Sequence, residues 1–281
     1  MLGQKQELGN FSTALQAKGD IHYQGASITE ILKICELFFE SNFPKLREIA
    51  AQHARENIKE FAAQLSKQMI ENGGSIKVES LESPDVQASI NDAVAACARK
   101  GDAANPQLLS SLLVAKMAED NNDFIDTVLS EAISVVPRLT KDQVLFLGLL
   151  QVLRYLNPQP ASFTTYERLG KSMLPLFKDF SELSVMNLRH MDYAGAISYQ
   201  EFLQGDVYQF IYAQFYPGKG DVPTAEFLKV FKKFAPSYVK LINMFISCKG
   251  ASCTLTSVGH AIGLGVVRGI EPSLKYSAWI K

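Results

Sequence analysis

The sequence predicts a mainly α protein, in which a multi-helix body follows a short N-terminal β-hairpin leader and precedes a small C-terminal α+β module. Two patterns carry this prediction. Apolar residues recur at helical spacing from Ser27 to about Tyr216, and before that they alternate with polar residues. The chain has 281 residues, 47% hydrophobic and 20% charged, and this composition excludes a disordered or fibrous protein.

The leader, residues 1–27, has the pattern of a β-hairpin. Apolar and polar residues alternate over 11–17, a Lys-Gly-Asp turn follows at 18–20, and a second short run occupies 21–24. Two isolated strands are marginally stable in water, so we expect the hairpin to dock on its own body or on another chain, the alternative being a flexible tail. Assembly by strand addition would use its apolar residues, Phe11, Leu15, Ile21 and Tyr23.

Capping residues and prolines mark the helix starts of the body. Ser27 and Glu30 have the spacing of a capping box, and Pro84 and Pro106 each follow a residue that commonly caps helices. A Gly-Gly pair at 73–74 ends a long helix. These signals and the apolar spacing predict helices over 28–39, 44–71, 84–99, 106–120, 123–136, 140–153, 164–180, 181–190 and 199–216.

The charge distribution divides the chain. Residues 219–281 contain nine Lys or Arg and three Asp or Glu, a net charge of +6, whereas the rest contains 19 and 26, a net charge of −7. This asymmetry indicates two modules with different partners, or two faces that attract each other in an assembly. We therefore divide the chain into the leader at 1–27, an acidic helical body at 28–218 and a basic C-terminal module at 219–281.

The C-terminal module mixes helical and strand-like segments. A helix is predicted over 224–234, and Thr256 caps another. Between them, residues 248–253 have the composition of a turn joining two short β-prone runs, and 276–280 are strand-like. This order of elements is compatible with a winged-helix-like fold.

The strongest functional signal is the stretch 227–240, in which lysines alternate with aromatic residues. Lys229, Lys232 and Lys233 share one helix face, and the aromatic residues, including Phe234, turn largely toward another. One interpretation is a solvated lysine face over an aromatic core. The other is a surface for an anionic partner, with lipid headgroups or an acidic protein favoured over nucleic acid because the stretch has no arginine for bidentate base contacts. The candidate binding residues are Lys229, Lys232, Lys233, Lys240 and Arg268.

A second motif, at 190–202, resembles the calcium loop of an EF-hand. Gly195, Ile197 and Glu201 occupy the loop positions of the turn glycine, the hydrophobe and the last carboxylate. The first and fifth ligand positions, however, hold His190 and Ala194, which serve a hard cation poorly. We expect a helix-loop-helix without bound calcium, and no other cofactor.

The sequence contains no motif of a known catalytic reaction. A hydrolase site formed by Cys248, Cys253 and His260 is the enzymatic alternative, and it would require a deep pocket that gathers these residues with an acid. The four cysteines form no Cys-x-x-Cys pair and are expected to be reduced. With no apolar run of membrane-spanning length and no signal-peptide pattern, we expect a cytoplasmic protein that does not cross a membrane.

Both ends of the chain carry a resemblance. The leader Gly9-Asn10-Phe11-Ser12-Thr13-Ala14-Leu15-Gln16, the segment 255–259 and the ending 277–280 resemble an uncharacterised family of bacterial helical proteins, and similar leaders are found in bacterial conflict proteins. The resemblance implies a bacterial cytosolic protein acting as a sensor or adaptor in phage defence, and it carries no functional residue over to this chain.

These observations together predict a non-enzymatic binding protein. It would contact an anionic surface, lipid headgroups or an acidic protein, through its basic C-terminal module, and it would form a homo-oligomer through its leader. Two alternatives remain open, a nucleic-acid-binding winged-helix-like regulator and the Cys/His hydrolase.

Overall fold

The computed structural model describes residues 28–42, 48–72, 76, 78–118, 121–203, 205–219 and 222–280. In these ranges the chain is mainly helical, as predicted, with one small antiparallel sheet. The predicted hairpin of residues 1–27 and its assembly residues Phe11, Leu15, Ile21 and Tyr23 lie outside the described residues.

The elements follow one another in a simple order. The helices are α1 (Ile28–Asn42), α2 (Glu48–Glu71), α3 (Pro84–Lys100), α4 (Pro106–Lys116), α5 (Asp123–Val135), α6 (Lys141–Leu150), α7 (Phe163–Met173), α8 (Val185–Tyr193), α9 (Val207–Phe215), α10 (Ala225–Phe234), α11 (Pro236–Ser247) and α12 (Ser257–Arg268). The strands are β1 (Ile197–Tyr199) and β2 (Cys253–Leu255). None of the helices within the described ranges is long and apolar enough to cross a bilayer.

Side-chain caps fix where many of these helices begin. Thr140 and Gln143 form a reciprocal capping box at α6, in which each side chain accepts a hydrogen bond from the other residue's backbone N–H. Pro84 and Pro106 occupy the first positions of α3 and α4, where a missing N–H costs nothing. Thr256 caps α12 by accepting from the Gly259 N–H at 3.0 Å.

The core is continuous from α1 to the last helix. Helices α1 to α4 pack on one another, and α12 packs against α4, α5 and α6. A Cβ built on Gly263 of α12 would lie 2.7 Å from the Leu147 carbonyl oxygen, so this close approach to α6 requires glycine. The segment after residue 218 therefore shares its core with the body.

A π-helical turn, Gln151–Tyr155, continues α6 and holds the connection that leads into α12. The Arg154 guanidinium donates to the Cys253 carbonyl oxygen at 2.7 Å. The Tyr155 hydroxyl accepts from the Leu255 N–H at 3.2 Å. Extra backbone turns of this kind change the direction of the side chains that follow them, and here they place two polar groups against β2.

The order of elements in the C-terminal module differs from the predicted order. The β-prone run before residue 248 is helical, because it continues α11, which begins at Pro236. Strand β2 pairs with β1 of the body, with Leu255 opposite Ile197. The strand-like segment 276–280 contains a 3-10 turn at Tyr276–Ala278. The winged-helix arrangement is therefore not confirmed.

Candidate anion-binding surface

Helix α10 carries the predicted lysines. Residues next to it in the sequence set where it begins and ends. The Thr224 hydroxyl accepts from the Phe227 N–H at 3.1 Å and caps the helix. The helix ends before Ala235, which precedes Pro236 and whose φ of −126° and ψ of 49° lie outside the helical range. A residue before proline is driven away from helical geometry, so the chain changes direction here into α11.

An aromatic cluster anchors one side of α10. Phe227 and Phe231 are 5% and 0% exposed, and their ring centroids lie 5.7 Å apart. The Phe231 ring meets Tyr166 edge-on at 5.6 Å, and the Tyr166 ring meets Tyr238 edge-on at 4.9 Å. Edge-on pairs of buried rings add to the free energy gained by burial, and the cluster fixes which side of α10 faces water.

The opposite side of α10 is the predicted lysine face. Lys229, Lys232 and Lys233 are all exposed, as their shared face predicts. In the part of the chain that the structure describes, no carboxylate lies within ion-pair distance of any of the three. We use the name α10 face for these three lysines together with Phe234.

Phe234 lies at the edge between the lysines and the aromatic cluster. As predicted, it turns toward the aromatic side, where its ring centroid is 6.3 Å from that of Phe163. Because it is the last residue of α10, its ring is still 53% exposed, and the Lys233 ammonium lies 5.3 Å from the ring centroid. A half-exposed aromatic ring therefore borders the lysine face.

Tyr208 of α9 is a contact that the sequence did not reveal. The Lys232 ammonium lies 5.8 Å from the Tyr208 ring centroid, a cation–π arrangement. Burial, followed by the Asp206 carboxylate, raises the pKa of Tyr208, so the ring stays neutral beside the ammonium. Only the packing of α9 on α10 brings these residues together, and no pattern in either helix signals it.

The other two predicted binding residues have different settings. Lys240 is exposed on α11. Arg268, at the end of α12, is half-buried, with its guanidinium 5.0 Å from the ring centroid of buried Tyr276. Arg268 thus has an internal partner, whereas Lys240 faces solvent like the lysines of α10.

In the EF-hand-like loop, the two carboxylates accept hydrogen bonds from within the chain. Gly195 has the positive φ, +79°, that the turn of such a loop requires. The Asp192 carboxylate accepts from the Tyr199 N–H at 3.3 Å, and the Glu201 carboxylate accepts from Arg189 at 3.1 Å. Among the described residues, no group of three His, Cys, Asp or Glu side chains is arranged to hold a metal ion.

The residues of the hydrolase alternative are poorly prepared for catalysis. Cys248 and Cys253 are fully buried, and burial raises the pKa of Cys253 to about 12, so its thiol stays protonated at neutral pH. His260 Nδ1 lies 2.9 Å from Gln151 Oε1, and its ring meets Tyr155 edge-on at 4.4 Å. Burial lowers the pKa of His260. His260 therefore makes a packed polar contact, and this arrangement contains no activated thiolate.

Comparison with known proteins places the helical body in a family. A family model for an uncharacterised family matches residues 25–221. No curated protein and no solved structure matches the chain. The matched range contains α1 to α9 and ends before α10, so it describes the body and not the α10 face. Because it spans well over half of the 281 residues, the chain belongs to this family.

Proposed function

We propose that this is a binding protein that attaches to an anionic lipid surface through the α10 face. The observation that carries the proposal is the exposure of Lys229, Lys232 and Lys233 beside half-exposed Phe234. The described part of the chain offers these three ammonium groups no carboxylate partner. Their charge is therefore available to an external anion.

Lipid is favoured over nucleic acid and over an acidic protein by the composition of the face. A lysine near an anionic membrane contributes about 1 kcal/mol of attraction, without any required geometry. Helices that lie at the boundary between headgroups and acyl chains combine a lysine-rich polar face with aromatic residues beside it, as Lys229, Lys232 and Lys233 combine with Phe234. The face contains no arginine, the residue that most often reads base edges. Phe234 would enter the headgroup layer while the lysines contact phosphate and carboxylate groups.

The test is binding to phosphatidylcholine vesicles with and without phosphatidylglycerol, measured by co-sedimentation. We expect binding only to the anionic vesicles. Lys229→Glu/Lys232→Glu/Lys233→Glu should weaken it at least about 100-fold, because each substitution removes about 1 kcal/mol of attraction and adds repulsion. Phe234→Ala should also weaken binding, and its loss should depend little on salt because the contact is apolar.

A matched control separates the face from net charge. Lys33, Lys59 and Lys141 are exposed on three other helices, and replacing all three by Glu changes the net charge by the same amount. This control variant should retain most of the vesicle binding. Equal loss in both triple variants, or no binding by the wild-type protein, would contradict the proposal. Lysine-dependent binding to duplex DNA in place of vesicles would favour the nucleic-acid-binding regulator.

We also propose that the attachment serves a sensor or adaptor in phage defence in the bacterial cytoplasm. The support is the resemblance of the leader at Gly9–Gln16 to leaders of bacterial conflict proteins. Plaque counts on bacteria carrying the wild-type chain, the α10 triple variant and the control triple variant test it. We expect protection by the wild-type and control chains only, and equal plaque counts in all strains would contradict the role.

A further inference from the structure

A second cationic feature lies on other helices, at a concave groove of about 370 Å³ between α3 and α5. The C-terminal half of α3, from Asp92 to Lys100, forms one wall. The end of α5 and the following 3-10 turn Val136–Arg138 form the other. The groove is lined by Asp92, Ala95, Ala96, Arg99, Lys100, Ile133, Ser134, Pro137 and Arg138.

The charges around this groove are unbalanced. Arg99, Lys100 and Arg138 face one carboxylate, that of Asp92. The ends of α3 and α5 add the partial negative charge of two helix dipoles, about half an elementary charge each. An excess of roughly one positive charge remains after both helix ends are counted. The groove is thus locally basic, although the chain up to residue 218 is acidic overall.

The three cations have different roles within the groove. The Lys100 ammonium donates to the Pro137 carbonyl oxygen and so ties α3 to the turn after α5. Within the described ranges neither Arg99 nor Arg138 makes an ion pair or a side-chain hydrogen bond, and both are exposed. Two guanidinium groups on opposite walls are therefore free to bind a ligand, while Lys100 maintains the spacing of the walls.

We propose that this groove binds the phosphate group of a small soluble phosphorylated compound, with Arg99 and Arg138 as its ligands. A guanidinium presents a planar fork of N–H donors that matches two phosphate oxygens. The volume lies in the range of pockets that take small molecules, and Ala95, Ala96 and Pro137 supply an apolar wall for the part that carries the phosphate. The site shares no residue with the α10 face, and its occupancy does not depend on membrane binding.

Isothermal titration calorimetry on the full chain tests this inference, with sodium pyrophosphate and adenosine 5′-monophosphate as the two probes. We expect Arg99→Gln and Arg138→Gln each to weaken binding about tenfold or more, since each removes a charge-assisted hydrogen bond. Asp92→Asn should tighten binding several-fold, because it removes the only carboxylate among the described residues that line the groove. Arg168→Gln, which removes an exposed arginine of α7, should bind like the wild-type protein.

The two probes separate the sources of the phosphate. Tighter binding of the nucleotide would assign the apolar wall to a base or sugar, whereas equal binding would assign the site to phosphate alone. Failure of both probes to bind, or unchanged affinity in the two arginine variants, would overturn the inference. The gain expected from Asp92→Asn cannot arise from loss of folding, so it keeps the test decisive if an arginine variant is unstable.

Discussion

At the scale of single residues, the buried ion pair of Lys116 is the most consequential polar contact. The side chain of Lys116 is fully buried at the end of α4, and its ammonium binds the carboxylates of Asp85 and Asp126, the latter at 2.7 Å. The two carboxylates remain 58% and 40% exposed. Because only the lysine has lost its water, the two sides of this pair should respond unequally to substitution.

We predict that Asp85→Asn/Asp126→Asn lowers the free energy of unfolding by about 2–3 kcal/mol at pH 7, because it leaves a buried ammonium without an anion. Lys116→Met should cost less, since both carboxylates can be hydrated. Urea denaturation of the three proteins measures this order. A larger cost for Lys116→Met would contradict it.

The stability difference between the wild-type protein and Asp85→Asn/Asp126→Asn depends on pH. The hydrogen bond from Lys116 holds the pKa of Asp85 below its usual value. A carboxyl group with a lowered pKa in the folded state stabilises the fold above its unfolded pKa, and this contribution is lost as the pH falls through the folded value. The difference in unfolding free energy between the wild-type protein and Asp85→Asn/Asp126→Asn should therefore shrink in acid.

At the scale of elements, helix starts were predictable where a cap or a proline specifies them. Pro84, Pro106 and Thr140 mark helix starts within one residue of where the structure begins α3, α4 and α6. The predicted helix 199–216 begins later, at Val207, because residues up to Tyr199 pair with β2 and the Asp206 side chain caps the helix. That pairing depends on a partner far along the chain, which local patterns do not reveal.

The two cationic surfaces differ in how far the sequence predicts them. The lysines of α10 share a face because of their spacing, so their exposure follows from the sequence. Arg99 and Arg138 lie on different elements, and only the packing of α3 against α5 turns two helix ends into a groove. Within α3, and within the 3-10 turn after α5, the sequence pattern is that of ordinary solvated cations.

The EF-hand-like loop, which joins α8 to β1, leads to a prediction about calcium binding. Millimolar Ca²⁺ should leave the melting temperature unchanged, because a ligand that binds the native state would raise it. Asp192 and Glu201 already accept hydrogen bonds from Tyr199 and Arg189. Differential scanning calorimetry with CaCl₂ or with MgCl₂ measures the effect. A calcium-specific rise that Glu201→Gln abolishes would show that the loop binds calcium after all.

At the scale of the whole molecule, the charge boundary near residue 218 does not coincide with a gap in the packing. Helix α12 lies against α4, α5 and α6, and α11 packs against α7. The apolar side chains of α12 that are 7% exposed or less are Val258, Ala261, Ile262, Leu264 and Val267. The basic segment is thus basic on its surface and apolar where it meets the acidic body.

We predict that a chain ending at Gly218 does not fold cooperatively. It would expose the apolar surface that α11 and α12 cover, and a loss of several buried side chains, at about 1.5–3 kcal/mol each, exceeds the stability of an ordinary domain. Circular dichroism during heating tests this. A chain lacking residues 1–26 is the control: it keeps every described helix and should melt cooperatively, with reduced self-assembly if the leader acts as predicted. A sharp melting transition of the 1–218 chain would instead identify two independent domains.

The pairing of β1 with β2 bears on the order in which the molecule folds. Ser198 and Thr254, which face each other in the sheet, are 56 residues apart. Closing a flexible loop of that length costs about 3.5 kcal/mol of chain entropy beyond a constant term, and three residue pairs cannot supply it alone. The helices between the strands must form and pack first, so we expect this small sheet to appear among the last events of folding. Slow amide exchange at β1 would then report that the whole chain has reached its native topology.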